Sequence, residues 1–243
     1  MGGIPIEALK NKLEGIEDAV FKNIEIAREQ VTLIYFSSLV DKLTLHKTVI
    51  RPLLQSKGNL LQTAEVIEPN DLPSIITSIT EGNTIVYFHK KEIYLKVNTF
   101  SAPMASITET DTESSVIGPQ NAFTESLETN ISLIKRRIQN PNLKSKNFVV
   151  GTETNTKISV MYIDDIVNKD NLDILIKKIE KIDHPRFNDI TILQQLMDDH
   201  PYSPFPQYHE TVRPDIAVSN LVDGRIVVVM DNKGKWTEEL TKK

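Results

Sequence analysis

The sequence predicts an α/β protein of two lobes, each a small mixed β-sheet packed with helices, joined by a linker. Three observations carry this. Apolar β-branched runs alternate with segments whose apolar residues recur every three or four positions. The length of 243 residues is about 1.6 times a typical domain of ~150. Between two such sets of elements lies Ser101–Ser115, rich in Ser, Thr and Glu and free of aromatic residues. The lobes are accordingly 1–108 and 109–232, followed by a tail, 233–243.

Ile6, Leu9, Leu13, Ile16, Val20 and Phe21 keep helical spacing and predict an amphipathic N-terminal helix. Val31–Phe36 is apolar without alternation, the pattern of a strand buried on both faces. Leu39–Leu54 reads as helical, limited by Pro52. Asp71-Leu72-Pro73 opens a short helix that Glu81-Gly82-Asn83 ends. Thr84–His89 and Glu92–Phe100 predict a hairpin around Lys90-Lys91.

In the second lobe Phe123, Leu127, Ile131, Ile134 and Ile138 mark a helix stopped by Pro141. Strands follow at Asn147–Val150 and Lys157–Ile163. Helices are expected over Leu172–Ile182, Asp189–Met197 and Pro214–Leu221, the last with Pro214 in its first turn and Gly224 at its end. His200–Pro206 is too rich in ring-constrained residues to be regular, and Arg225–Met230 is a terminal strand. Lys233–Lys243 is basic and apolar-poor, hence expected to be loosely held. Residues appended to a natural end would read the same way.

Composition narrows function. The net charge is −5, and the first 110 residues hold 11 basic and 13 acidic side chains, so no lobe has the electrostatic footprint of general nucleic-acid binding. No cysteine is present, which removes thiol nucleophiles and cysteine-ligated metals. No apolar run of ~18 residues spans a membrane. Walker, GxGxxG, GxSxG and HExxH patterns are absent. The acid-rich turns Asp164-Asp165 and Asp198-Asp199-His200 fit helix caps and solubility better than a metal centre. An enzyme using Asp164, Asp198 and His200 on a divalent metal is the weakest of three readings. Lys135-Arg136-Arg137 ends the strong helix and reads either as compensation of the helix dipole or as a surface for an anion, lipid headgroup or partner. Tyr202-Ser203-Pro204-Phe205-Pro206 reads as a rigid loop that lids a core or presents an interface.

The order of motifs is more specific. Gly118-Pro119, Phe123-Thr124-Glu125-Ser126-Leu127, Asn130, Leu133-Ile134, Arg136-Arg137-Ile138 and Pro141-Asn142-Leu143 stand in register. Gly151, Thr156-Lys157, Tyr162-Ile163 and Ile166-Val167 continue the series. Ser203-Pro204-Phe205-Pro206, Arg213-Pro214-Asp215 and Leu221-Val222-Asp223-Gly224-Arg225 complete it. This run resembles the soluble N-terminal region of the A subunit of GerA-type spore germinant receptors, over about half of the chain. The first lobe resembles it more loosely, through Leu39-Val40-Asp41 and the run to Leu54. Val212 departs from the pattern, which has an acidic residue before Arg-Pro-Asp, and this puts an acid–Arg pairing there in doubt.

The resemblance implies a two-lobed soluble domain on the spore-core side of the inner membrane, cut from a longer subunit whose membrane segments follow Met230-Asp231. It implies B and C subunits and other A subunits as partners, no enzyme activity and no cofactor or metal. Glu125, Asn130, Arg136, Arg137, Ser203, Phe205, Arg213 and Asp215 are the expected contact or coupling residues. Gly118, Pro119, Phe123, Pro141, Pro204, Pro206, Pro214 and Gly224 are the expected structural positions. The main reading is a signalling and assembly module. The alternative is a nutrient-binding module with a ligand cleft between the lobes.

Overall fold

The structure, a computed structural model, describes residues 6–26, 29–55, 64–68, 71–100, 122–187, 190–199, 207–231 and 238–239. The chain divides into two compact units, Met1–Pro103 with Gln139–Pro141, and Met104–Ile138 with Asn142–Lys243. The expected linker and the expected loop at His200–Pro206 lie outside the described residues.

In the first unit the elements are α1 (Ile6–Lys12), β1 (Ala19–Ile26), β2 (Glu29–Phe36), α2 (Lys42–Leu45), a π-helical turn (His46–Ile50), α3 (Arg51–Leu54), β3 (Ala64–Ile67), α4 (Leu72–Thr80), β4 (Asn83–Phe88) and β5 (Ile93–Asn98). The strands form one sheet in the order β1-β2-β4-β5-β3, antiparallel throughout. Strand periodicity splits its side chains between two cores. Ile34, Phe36, Ile85, Tyr87 and Tyr94 meet Ile6 and Leu9 of α1 and Ile75, Ile76 and Ile79 of α4. Val31, Leu33, Val86, Leu95 and Val97 meet Leu45, Val49 and Leu53 of the α2–α3 run. The sheet therefore lies between two helical layers, and β2 is buried on both faces as its unbroken apolar run predicts.

One expectation changes here. The N-terminal helix ends at Lys12, and Val20 and Phe21 stand on β1. Leu13 and Ile16 remain in the core, but Gly15 takes φ +81° and turns the chain. Eight residues from Ala19 then pair with β2, and this ladder outweighs the helical spacing. Pro52 limits the regular extent of its helix as expected, and the chain stays helical through Leu54. Proline lacks an N–H and crowds the carbonyl four residues back. The turn before it widens to π geometry, with the Arg51 N–H donated to the His46 carbonyl five residues back.

The second unit contains α5 (Leu127–Arg137), β6 (Leu143–Val150), β7 (Thr156–Ile163), α6 (Lys169–Glu180), α7 (Ile190–Met197), α8 (Pro214–Val222), β8 (Val227–Met230) and β9 (Glu238–Glu239). Its sheet runs β6-β7-β8-β9, also antiparallel, so helices and strands combine as expected but neither sheet is mixed: each is joined by hairpins and returns that pair its strands antiparallel throughout. The tail contributes β9 to that sheet's edge. α5 packs on α8, and both pack on β7 and β8; α6 packs on β6 and α7. One core joins all of them, centred on Ile134, Ile158, Val160, Leu193, Leu221 and Val229.

Candidate functional site

The motifs of the second unit meet around the N-terminal end of α5. Ser126 caps the helix, its hydroxyl accepting from the Thr129 N–H at 3.3 Å. Phe123 precedes the helix rather than opening it. Its N–H donates to the Val212 carbonyl at 3.0 Å, and its ring is buried. Asn130 is 0% exposed and closes on Thr124: its Oδ1 accepts from the Thr124 N–H at 2.7 Å and hydroxyl at 3.2 Å, and its Nδ2 donates to the Thr124 carbonyl at 2.7 Å. Asn130 is thus a buried bracket for the lead-in segment, not a group presented at the surface. Asp231, 104 residues away, accepts from the Leu127 N–H at 3.3 Å, a carboxylate placed at the positive end of α5. Glu125 is exposed on the same lead-in.

The other end of the cluster is α8. Arg213 occupies its N-cap position and Pro214 its first turn. The Arg213 guanidinium grips Asp215 with two hydrogen bonds, Nε to Oδ1 at 3.2 Å and Nη2 to Oδ2 at 2.6 Å. This holds the Asp215 carboxyl below the usual range, hydrogen bonding from Arg213 being the largest cause and burial opposing it. Asp215 is thus an acidic partner of Arg213 within the motif itself. Val212 instead packs against the core and offers its carbonyl to Phe123. α8 ends in a Schellman motif: the Arg225 N–H donates to Asn220 and the Gly224 N–H to Leu221. Gly224 has φ +80°, and a Cβ there would lie 2.9 Å from the Ile166 carbonyl oxygen. Arg225 Nη1 also reaches Asn220 Oδ1 at 3.2 Å.

At the C-terminal end of α5 the three cations separate. Lys135 is buried, 4% exposed, whereas Arg136 and Arg137 are exposed. Arg137 donates to the Leu133 carbonyl at 3.3 Å and so serves the helix end. Pro141 stands three residues beyond Ile138, the C-cap. Gly118, Pro119, Ser203, Pro204, Phe205, Pro206 and His200 lie outside the described residues.

Asp164 does not stand open to a metal. Lys144 approaches it at 3.1 Å and Lys169 hydrogen-bonds it, which holds its carboxyl below the usual range. Among the described residues no three His, Asp or Glu side chains converge into a metal-binding group. Asp231 was the contributor that motif reading did not single out. Only its position at the end of the terminal strand, beside Met230, hinted at it, since its partner is a backbone N–H.

The model of the Bacillus/Clostridium GerA spore germination protein family matches residues 7–236. This chain is a member of the GerA family. It is 31% identical to spore germination protein KA of Bacillus subtilis (strain 168) and 30% identical to spore germination protein GerQA of Bacillus cereus. Each alignment covers 93% of this chain but only 44% and 47% of the relative, so the chain spans a little under half the length of these GerA proteins. A B. subtilis relative, 29% identical over 93% of this chain, is an uncharacterized membrane protein, YfkQ. No helix among the described residues here is long and apolar enough to cross a membrane. The fold matches the crystal structure of the N-terminal domain of the A subunit of the Bacillus megaterium spore germinant receptor GerK3, with a TM-score of 0.72, 22% identity, and coverage of 98% of this chain and 94% of that one. The match to the GerA model extends over both units, including the first, where the sequence motifs are sparse.

Proposed function

We propose that this chain is a signalling and assembly domain of a nutrient germinant receptor. It works without catalysis, on the core side of the spore inner membrane, in a complex with B and C subunits and further A subunits. Family membership over residues 7–236 carries the reading. The site geometry supports it. Asn130, Asp231, Phe123 and Gly224 fix backbone, and Asp215 is taken up by Arg213. These residues hold one arrangement of α5 and α8 rather than assembling a nucleophile with a base. Arg136 at the exposed helix end is the group through which α5 would meet a partner, and coupling requires that this contact differ between two states.

The test is Arg136→Ala in the full-length subunit in spores, with germination rate and subunit level measured together. Slower nutrient-triggered germination at an unchanged level is expected. Germination that is unchanged, or that falls only in proportion to the level, removes the coupling role from Arg136.

A further inference from the structure

The run from α2 to α3 buries Leu45, Val49 and Leu53 against the sheet. The rest of its surface is unusual for a chain of net charge −5. Lys42, Leu43, His46, Lys47, Arg51 and Leu54 are all exposed, Leu43 and Leu54 at 70% and 60%. No acidic residue occurs from Lys42 to Leu54. The nearest carboxylate in sequence, Asp41, is engaged as the helix cap, accepting from the N–H groups of Leu43 and Thr44 and from the Thr44 hydroxyl. Among the described residues none of Lys42, Lys47 and Arg51 makes an ion pair with a carboxylate. Some cations elsewhere do, Lys96, Lys144, Lys169 and Lys178 among them.

Exposed leucines and cations with no carboxylate in ion-pair contact, on one helical run, select among partners. A polyanion such as RNA uses the cations and gains nothing from leucines. Protein hot spots favour aromatic anchors, and this surface has none. An anionic bilayer uses both: leucines enter the headgroup–acyl boundary while Lys and Arg reach lipid phosphates. We propose that the α2–α3 run is a peripheral docking face for an anionic lipid surface. The charge complementarity of Lys42, Lys47 and Arg51 fixes the occupant, and Leu43 and Leu54 supply the insertion. This inference rests on the helix itself and not on the receptor role.

The experiment is flotation of the 243-residue chain with vesicles of phosphatidylcholine alone or of equimolar phosphatidylcholine and phosphatidylglycerol, at low and high salt. Binding to the anionic vesicles only, weakened by salt, is expected. The triple variant Lys42→Gln, Lys47→Gln, Arg51→Gln should lose about 100-fold in partitioning, from about fivefold per charge. Leu43→Ser with Leu54→Ser should lose about tenfold or more. Both variants change exposed groups and should keep the parent melting temperature. Absence of binding to the anionic vesicles at low salt overturns the proposal. So does full vesicle binding by the leucine variant together with competition by an RNA homopolymer, which would make the face a polyanion site. Self-association abolished by the leucine variant, without vesicle binding, would make it a contact between copies and likewise overturn it.

Discussion

Asn130→Ala removes three hydrogen bonds at a fully buried position and leaves the Thr124 N–H and carbonyl without their partner. Thr124 is half-buried, so its groups regain some water, and a loss of about 1–3 kcal/mol is expected. Thermal denaturation followed by circular dichroism checks it, and a shift no larger than that of an exposed substitution would refute the bracket. Gly224→Ala combines strain at φ +80° with a Cβ 2.9 Å from the Ile166 oxygen. It should cost about 1–3 kcal/mol, read in the same melt. Asp215 titrates below its ordinary value because Arg213 bonds the charged form. A depressed folded-state pKa means stability present above the unfolded value near 3.9 and lost as pH falls through the folded one. The pair is half exposed, so its share is on the order of 0–1 kcal/mol. Asp215→Asn should flatten the stability profile below about pH 4 and leave its shape at neutral pH unchanged.

At the scale of elements, α5 uses caps as well as its apolar stripe. Ser126→Ala should destabilise it by about 1 kcal/mol, measured by urea denaturation, because the Thr129 N–H loses its acceptor. The same helix shows what periodicity conveys. Leu127, Ile131, Ile134 and Ile138 keep the three–four spacing and are all buried, yet Phe123, one step earlier in the series, lies outside the helix. Ser126 capping and the Phe123 bond to Val212 set the true start. Periodicity detects burial, while hydrogen bonding decides where a helix begins. β3 illustrates the converse. Ala64–Ile67 is a four-residue edge strand with Val66 exposed, so no buried face impressed a pattern on it.

For the whole molecule the open choice is between coupling and direct nutrient binding. A thermal-shift screen against millimolar amino acids, sugars, nucleosides and K⁺ separates them. Ligand at about 100 times Kd adds about 2.7 kcal/mol to the native state, a shift of several degrees for a chain of this size. No dose-dependent shift with any of these is expected for a coupling domain. A shift with one nutrient class would transfer the proposal to sensing.

Most helices, strands β2 and β4 to β8, the two-sided burial of β2 and the motif series in the second unit were determined by sequence, because side-chain periodicity and turn chemistry are local properties, whereas β1, β3 and β9 were not. The role of each motif residue was not. Asn130 looked like a contact residue and is a buried bracket, and the cations of Lys135-Arg136-Arg137 divide between core and surface. Val20 and Phe21 kept helical spacing and joined a strand. In each case the outcome depends on a partner distant in sequence: β2 for Val20 and Phe21, Val212 for Phe123, Asp231 for the start of α5. Such pairings exist only once the chain has folded, and so only the tertiary structure decides them.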